Sequence, residues 1–226
     1  MKNLILTVIL IFLLTAPLSF AETAKSGTGL VKTRNSIIVD YSDFDNRDAW
    51  EAKVKDGKAD TKVLNCKDLN TNVLRLRSSQ ASYYFQREVN IDVNDYSKFT
   101  FQWKVKKHPK GGDVRRRSTD DQAAQVLLAF EGRNIISYIW DPSAPVGYTK
   151  DSSIPFIVSQ KILVVQSGDN EKDKDQWFTI TRDINADYKK LYGRNAPKLA
   201  GVAIQINSQH TESFCEAQIG PLKFEK

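Results

Sequence analysis

The segment Lys98–Lys106, KFTFQWKVK, decides the fold class because apolar and polar residues alternate along its whole length. Successive side chains of a β-strand point to opposite faces, so this pattern is typical of a strand with one buried and one solvated face. The side chains expected in the core are Phe99, Phe101, Trp103 and Val105.

The same alternation recurs along the chain between short turn-forming stretches. It is found in NVLRLRS (72–78), SYYFQREV (82–89), AAQVLLAF (123–130), NIISYIW (134–140), KILVVQSG (161–168), QWFTITRDI (176–184), GVAIQINS (201–208) and CEAQIGPLKF (215–224). Only NADYKKLYG (185–193) indicates a helix, with Asn185 as its N-cap and Gly193 at its end. About ten short strands and one helix predict an all-β fold, an antiparallel β-sandwich.

The N-terminus predicts export. Residues 1–21 contain Lys2, an apolar core from Leu4 to Leu14 and small residues before a cleavage point after Ala21. The alternative, an uncleaved anchor, is disfavoured by the short core. We therefore predict a signal peptide over 1–21, a flexible lead-in over 22–35 and a single β-sandwich domain over 36–226. The location would be the periplasm or the extracellular space, without a stable membrane anchor after cleavage.

The formal net charge of +6 includes Lys2, so the part after residue 21 carries +5 (6 − 1). This weakly favours acidic partners, such as an anionic polysaccharide or a membrane surface. We expect no nucleic acid as a partner, since the chain has no RNA-binding signature, zinc finger or basic helix.

Signatures of common catalytic and cofactor sites are missing. His108 and His210 are the only histidines, and no G-x-S-x-G, P-loop or G-x-G-x-x-G occurs. The acidic stretch 169–175 has Lys174 and Ile180 where a calcium loop needs its glycine and glutamate. We predict no metal and no cofactor, and the sequence leaves open whether the protein is an enzyme.

The stretch Gly111–Asp121, GGDVRRRSTDD, precedes a buried strand and is the first candidate for a binding rim. Arg115 and Arg117 could hold an anionic group through their planar guanidinium groups. Asp120 and Asp121 could accept hydrogen bonds from sugar hydroxyls. The alternative is a solvated loop in which these carboxylates pair with the neighbouring arginines.

A second candidate lies on the polar sides of the strands. Amide and carboxylate side chains there could both donate to and accept from hydroxyl groups. These side chains are Gln125, Gln205, Asn207, Glu216 and Gln218. Trp140 ends its strand beside a proline-containing loop and could stack on a sugar ring, or else belong to the core.

The two cysteines, Cys66 and Cys215, leave two alternatives open. In an oxidising compartment they could form a disulfide, and otherwise each is a small buried side chain.

Several motifs occur together in one order: W-K-V before a glycine-rich acidic loop, D-D before an alanine-rich strand, and D-Y-x-x-L-Y-G in the helix. In this combination, from about Phe44 to Phe224, the chain resembles the bacterial domain-of-unknown-function family 3047. The resemblance implies an exported protein with a galactose-binding-like jelly roll, and it implies no activity, substrate or catalytic residue.

Three functional hypotheses follow. The first is a non-catalytic exported module that binds carbohydrate or another polyhydroxylated or anionic envelope ligand. The second is a polysaccharide hydrolase or lyase that uses Asp121 and Glu216 as a carboxylate pair. The third is a structural envelope protein with a protein partner.

Overall fold

The strands form two hydrogen-bonded sheets in the computed structural model, which describes residues 29–226. Their alternating apolar residues give each sheet one side that faces the core. Sheet I contains β1 (Leu30–Lys32), β2 (Ser36–Val39), β4 (Asp60–Cys66), β5 (Thr71–Ser79), β7 (Lys98–Lys107), β12 (Phe178–Asp183), β14 (Phe214–Ile219) and β15 (Leu222–Glu225). Sheet II contains β3 (Glu51–Asp56), β6 (Ser82–Ile91), β8 (Ala124–Phe130), β9 (Asn134–Asp141), β10 (Thr149–Asp151), β11 (Ser159–Ser167) and β13 (Leu199–Asn207).

Sheet II has the strand order β10-β11-β9-β8-β13-β6-β3. Sheet I has the order β1-β2-β15-β7-β14-β5-β4, and β12 also pairs with β7, outside this order. Among the described strand pairs only β9–β11 is parallel. The predicted all-β sandwich of jelly-roll type with one short helix is confirmed, with this one parallel pair as the exception to its antiparallel character.

The core lies between the two sheets and is dominated by aromatic rings. The predicted apolar side of Lys98–Lys106 is buried there as expected. Phe99 packs on Tyr138 with ring centroids 6.1 Å apart, and Trp103 packs on Trp140 at 6.0 Å. These contacts join β7 of sheet I to β9 of sheet II.

The helix α1 (Ile184–Tyr192) follows β12 and ends at Gly193, whose φ of 71° is left-handed. The predicted N-cap was wrong by two residues. Asp183 is the cap, and its side chain accepts a hydrogen bond from Ala186 N at 3.0 Å. Asn185 instead donates to Val93 O. Within residues 29–226, no helix is long and apolar enough to cross a membrane.

The N-terminal predictions fall largely on residues without a described structure. The signal peptide over 1–21 and the lead-in as far as residue 28 lie outside the described part. Residues 30–32, predicted to be flexible, form β1, which pairs antiparallel with β2. The Thr33 hydroxyl stabilises the turn between them by accepting from Ser36 N at 3.0 Å.

Candidate functional site

The outer face of sheet II carries the side chains that alternate with its core residues. Because neighbouring strands are in register, four glutamines from four strands come together on this face. We call it the amide face and define it by Gln86 (β6), Gln205 (β13), Gln125 (β8) and Gln160 (β11), with Tyr84, Ala203, Leu127 and Ser137 between them.

Three of these glutamines use their amide nitrogens within the fold. Gln125 Nε2 donates to Asn207 Oδ1 at 2.6 Å, and Gln160 Nε2 donates to Ser137 Oγ at 2.9 Å. Gln86 Nε2 donates to Glu51 Oε2 at 2.5 Å. These bonds orient the amides across the face.

Three amide oxygens on this face have no hydrogen-bond partner among residues 29–226. They belong to Gln86, Gln160 and Gln205, whose residues are 7%, 4% and 4% exposed. A buried polar atom left without a partner destabilises a fold by about 1–3 kcal/mol. Three such acceptors on one face are a feature that a ligand with hydrogen-bond donors would satisfy.

The rest of the amide face is apolar. Tyr84, Leu127, Ala129, Ile135 and Ala203 form one buried cluster on it. The pKa of Tyr84 is raised to about 12, first by burial and then by the nearby charge of Glu51. An apolar surface with a few fixed polar groups is the usual composition of a small-molecule site.

The loop after β7 packs against one end of this face. Val114 packs with Ile139 and Val164 of sheet II. Its backbone N donates to Asp141 Oδ2 at 2.8 Å. Gly112 lies so close to the Asp121 carbonyl that a Cβ at this position would be 2.6 Å from its oxygen. The glycine therefore allows the loop to pack against the start of β8.

The predicted arginine contacts are used within this loop. Arg115 makes a bidentate pair with Asp113, with Nε at 2.8 Å from Oδ1 and Nη2 at 2.9 Å from Oδ2. The hydrogen bonds from Arg115 lower the pKa of the Asp113 carboxyl below its usual value. Arg117 begins an exposed 3₁₀ turn. The guanidinium of Arg115 is thus already paired within the loop, and its role as the holder of an anionic ligand stays a prediction.

The two carboxylates predicted to accept from sugar hydroxyls are also occupied. Asp120 Oδ2 is 2.6 Å from Lys150 Nζ. Asp121 is fully buried and accepts from Asn207 Nδ2 at 2.9 Å and from Thr211 N at 2.7 Å. Asp121 thus anchors the loop after β13, and its predicted ligand contact was wrong because the carboxylate is fully buried; that of Asp120 stays a prediction.

Other predicted site residues lie elsewhere in the sandwich. Glu216 and Gln218 are on the outer face of sheet I, on the opposite side of the core from the amide face, and Glu216 Oε2 pairs with Arg77 Nε at 2.8 Å. Trp140 is 1% exposed and donates from Nε1 to Gly168 O. Its predicted stacking on a sugar ring was wrong, because the indole belongs to the core between the sheets.

Gln125, Gln205 and Asn207 are brought together as predicted, at the β8–β13 pair. Asn207, however, directs its amide into the protein, donating to Asp120 O at 2.8 Å and to Asp121. Sequence reasoning missed Gln86 and Gln160. Both occupy polar positions in alternating strands, and this signal could have found them.

The cysteines do not form a disulfide. Cys66 lies opposite Thr71, and Cys215 lies opposite Ser78, on the two sides of β5. The two positions along β5 are seven residues apart, which corresponds to about 23 Å and far exceeds the span of a disulfide. Both thiols are free and buried, and burial raises the pKa of the Cys215 thiol.

A family model described as a protein of unknown function (DUF3047) matches residues 48–223. The chain belongs to this family. The resemblance found in the sequence is thereby confirmed. Among curated proteins, none matches this chain.

Solved structures resemble this member of the DUF3047 family at low identity. A family 11 carbohydrate-binding module from Clostridium thermocellum, in complex with a mixed-linked tetrasaccharide, is 12% identical with a TM-score of 0.42, covering 86% of this chain and 97% of that chain. A xyloglucanase domain of NopAA from Sinorhizobium fredii, in complex with cellobiose, is 9% identical with a TM-score of 0.47, covering 88% and 97%. The endoglucanase cel12A from Rhodothermus marinus is 9% identical with a TM-score of 0.43, covering 76% and 95%. At these TM-scores, the likenesses carry no information on what this chain binds.

Proposed function

We propose that this protein is a non-catalytic binding module whose amide face holds an extended polyhydroxylated ligand, a carbohydrate. The observation that supports this most strongly is the set of unpartnered oxygens of Gln86, Gln160 and Gln205. Each can accept a hydrogen bond from a hydroxyl group, and the apolar surface between them fits the carbon-bound side of a sugar ring.

The spacing of the amides favours an oligomeric ligand. Gln86 on β6 and Gln160 on β11 are separated by four strand intervals, β6-β13-β8-β9-β11, which correspond to about 19 Å at the usual strand spacing. This distance is several times the width of one sugar ring. A single sugar would satisfy one amide, whereas a short oligosaccharide could reach all of them.

The hydrolase alternative loses its proposed carboxylate pair. Asp121 is fully buried with its oxygens occupied, and Glu216 belongs to the outer face of the other sheet. We therefore do not propose these two groups as a catalytic pair.

The test is calorimetric titration of the protein with a panel of soluble oligosaccharides that differ in sugar and linkage. Gln205→Met and Gln160→Met should each weaken binding by up to about tenfold, because each removes one hydrogen-bond acceptor. Gln218→Met is the matched control on sheet I and should bind like the parent protein.

Unchanged affinity in the amide-face variants, or loss of affinity in Gln218→Met, would contradict the proposed face. A failure to bind any oligosaccharide would contradict a carbohydrate ligand and shift support to the structural alternative. In that case, a partner protein should co-purify and remain bound in all three variants.

A further inference from the structure

A cavity of about 620 Å³ opens at the β3–β6 edge of sheet II, and Gln86 belongs both to its lining and to the amide face. The cavity and the amide face therefore share Gln86. Its ionisable lining residues are Asp43, Asp48, Glu51 and Glu88, together with Arg47 and Arg87.

One of the two arginines in the lining, Arg87, is paired with Asp43. Arg87 Nη1 lies 2.6 Å from Asp43 Oδ1 and 2.9 Å from Oδ2, and the two side chains are 9% and 8% exposed. The guanidinium also lies over the Trp50 ring, 5.7 Å from its centroid. This buried pair is neutral as a unit and fixes the floor of the cavity.

Carboxylates outnumber cations in the remainder of the lining. Asp48, Glu51 and Glu88 face a single further arginine, Arg47. Glu51 also contacts Lys53 Nζ from β3. With both cations counted, three carboxylates leave a net charge of −1 at the cavity, so an anionic ligand group would be repelled there.

Gln86 adds an acceptor without a partner. Its residue is 7% exposed, and its Nε2 is held by Glu51 Oε2 at 2.5 Å. This bond occupies Nε2, and Oε1 has no hydrogen-bond partner in the part of the chain that the structure describes. A group that carries several N–H donors and a positive charge would satisfy this oxygen and the surrounding carboxylates together.

We propose that this cavity binds a primary ammonium group of the ligand, so that the carbohydrate contains an amino sugar with a free amine. This inference rests on the proposed function of the amide face. A metal ion fits less well, because no three His, Cys, Asp or Glu side chains in the described part of the chain gather closely enough to hold one. The hydroxyl of an ordinary sugar could donate to a carboxylate, but it would not offset the net negative charge of the cavity.

The test compares three oligosaccharides of equal length by calorimetric titration: a glucosamine oligomer, its N-acetylated form and the matching glucose oligomer. The glucosamine oligomer should bind about tenfold tighter than the other two, because charge-assisted hydrogen bonds are stronger than neutral ones. Glu88→Gln should reduce this advantage. Glu131→Gln removes the same charge from the exposed β8–β9 turn and should leave it unchanged.

The outcomes separate the two proposals. Equal binding of all three oligomers would overturn the ammonium site and leave the amide face intact. An advantage that Glu88→Gln and Glu131→Gln reduce equally would reflect net charge alone and would also overturn the site. Binding of none would contradict the proposed function and the ammonium site together. Binding of Ca²⁺ alone that Glu88→Gln abolishes would replace the ammonium with a metal ion.

Discussion

Gln125 and Gln205 lie directly opposite each other on β8 and β13, yet the protein uses their amides differently. Gln125 is held by Asn207 at 2.6 Å, whereas the Gln205 oxygen is buried without a partner among the described residues. Of these two neighbouring glutamines, one therefore has a structural partner and the other has a buried oxygen without one among the described residues.

This difference predicts opposite effects of the same substitution. Gln205→Met should raise the free energy of unfolding by about 1 kcal/mol, because it removes an unsatisfied acceptor and keeps the shape of the side chain. Gln125→Met should lower it by about 1–2 kcal/mol, because it breaks the bond to Asn207 and leaves Asn207 Oδ1 with one donor fewer. Urea unfolding curves measure both. Equal destabilisation by the two substitutions would show that Gln205 also has a structural role.

Asp121 is predicted to be a structural residue. Asp121→Asn should lower the free energy of unfolding by about 2–4 kcal/mol, because the buried carboxylate accepts from Asn207, Thr211 and His210. Denaturant unfolding monitored by tryptophan fluorescence checks this value. A variant with the stability of the parent protein and altered ligand binding would contradict this role and return Asp121 to the site.

His210 should make the protein less stable as the pH rises. Its Nδ1 lies 3.4 Å from Asp121 Oδ1, and the hydrogen bond to Asp121 raises the pKa of His210 above its usual value. The stabilisation is complete below the ordinary pKa of about 6.5 and is lost as the pH passes through the higher folded value. Since the imidazole is 41% exposed, solvent screening keeps the effect small.

Thermal unfolding across this pH range provides the measurement. The parent protein should show a decline in melting temperature above neutral pH that His210→Gln removes. Parallel pH profiles for the two proteins would show that the ion pair does not contribute to stability.

His108 should make the protein less stable as the pH falls. It is 5% exposed, packs edge-on against Trp140, and burial lowers its pKa to about 4. As the pH falls from about 6.5 to about 4, the unfolded chain takes up a proton that the folded protein resists. The free energy of unfolding should therefore fall between about pH 7 and about pH 4.5 in both proteins, and the fall should be about 2–3 kcal/mol smaller in His108→Phe than in the parent protein. Urea unfolding at the two pH values measures this difference. An equal loss of stability in the parent protein and in His108→Phe would rule out a buried neutral imidazole.

The sandwich could be predicted because alternation along a strand is a local property. Lys98–Lys106 has Phe99, Phe101 and Trp103 on one side, and these residues occupy the core. The partners of each strand could not be predicted in the same way. Gln218 and Gln205 have similar local patterns, but strand order places them on different sheets.

The candidate site was predicted only in part for the same reason. Charged groups next to each other in sequence, such as Asp113 and Arg115, were offered as ligand contacts, and the loop conformation pairs them with each other. Trp140 ends its strand beside a loop, yet the sandwich closes over it. Whether a polar atom is free or occupied depends on contacts between distant segments, as the bond between Asn207 and Asp121 shows.

Nuclear magnetic resonance of the glutamine side-chain amides can show whether the amide face binds a polyhydroxylated ligand. Signals can be assigned by Gln→Met substitution and followed as soluble oligosaccharides are added. We expect the signals of Gln86, Gln160 and Gln205 to shift together in a saturable manner while that of Gln218 stays unchanged. Binding that shifts Gln218, or that leaves the three amides of the face unmoved, would contradict it.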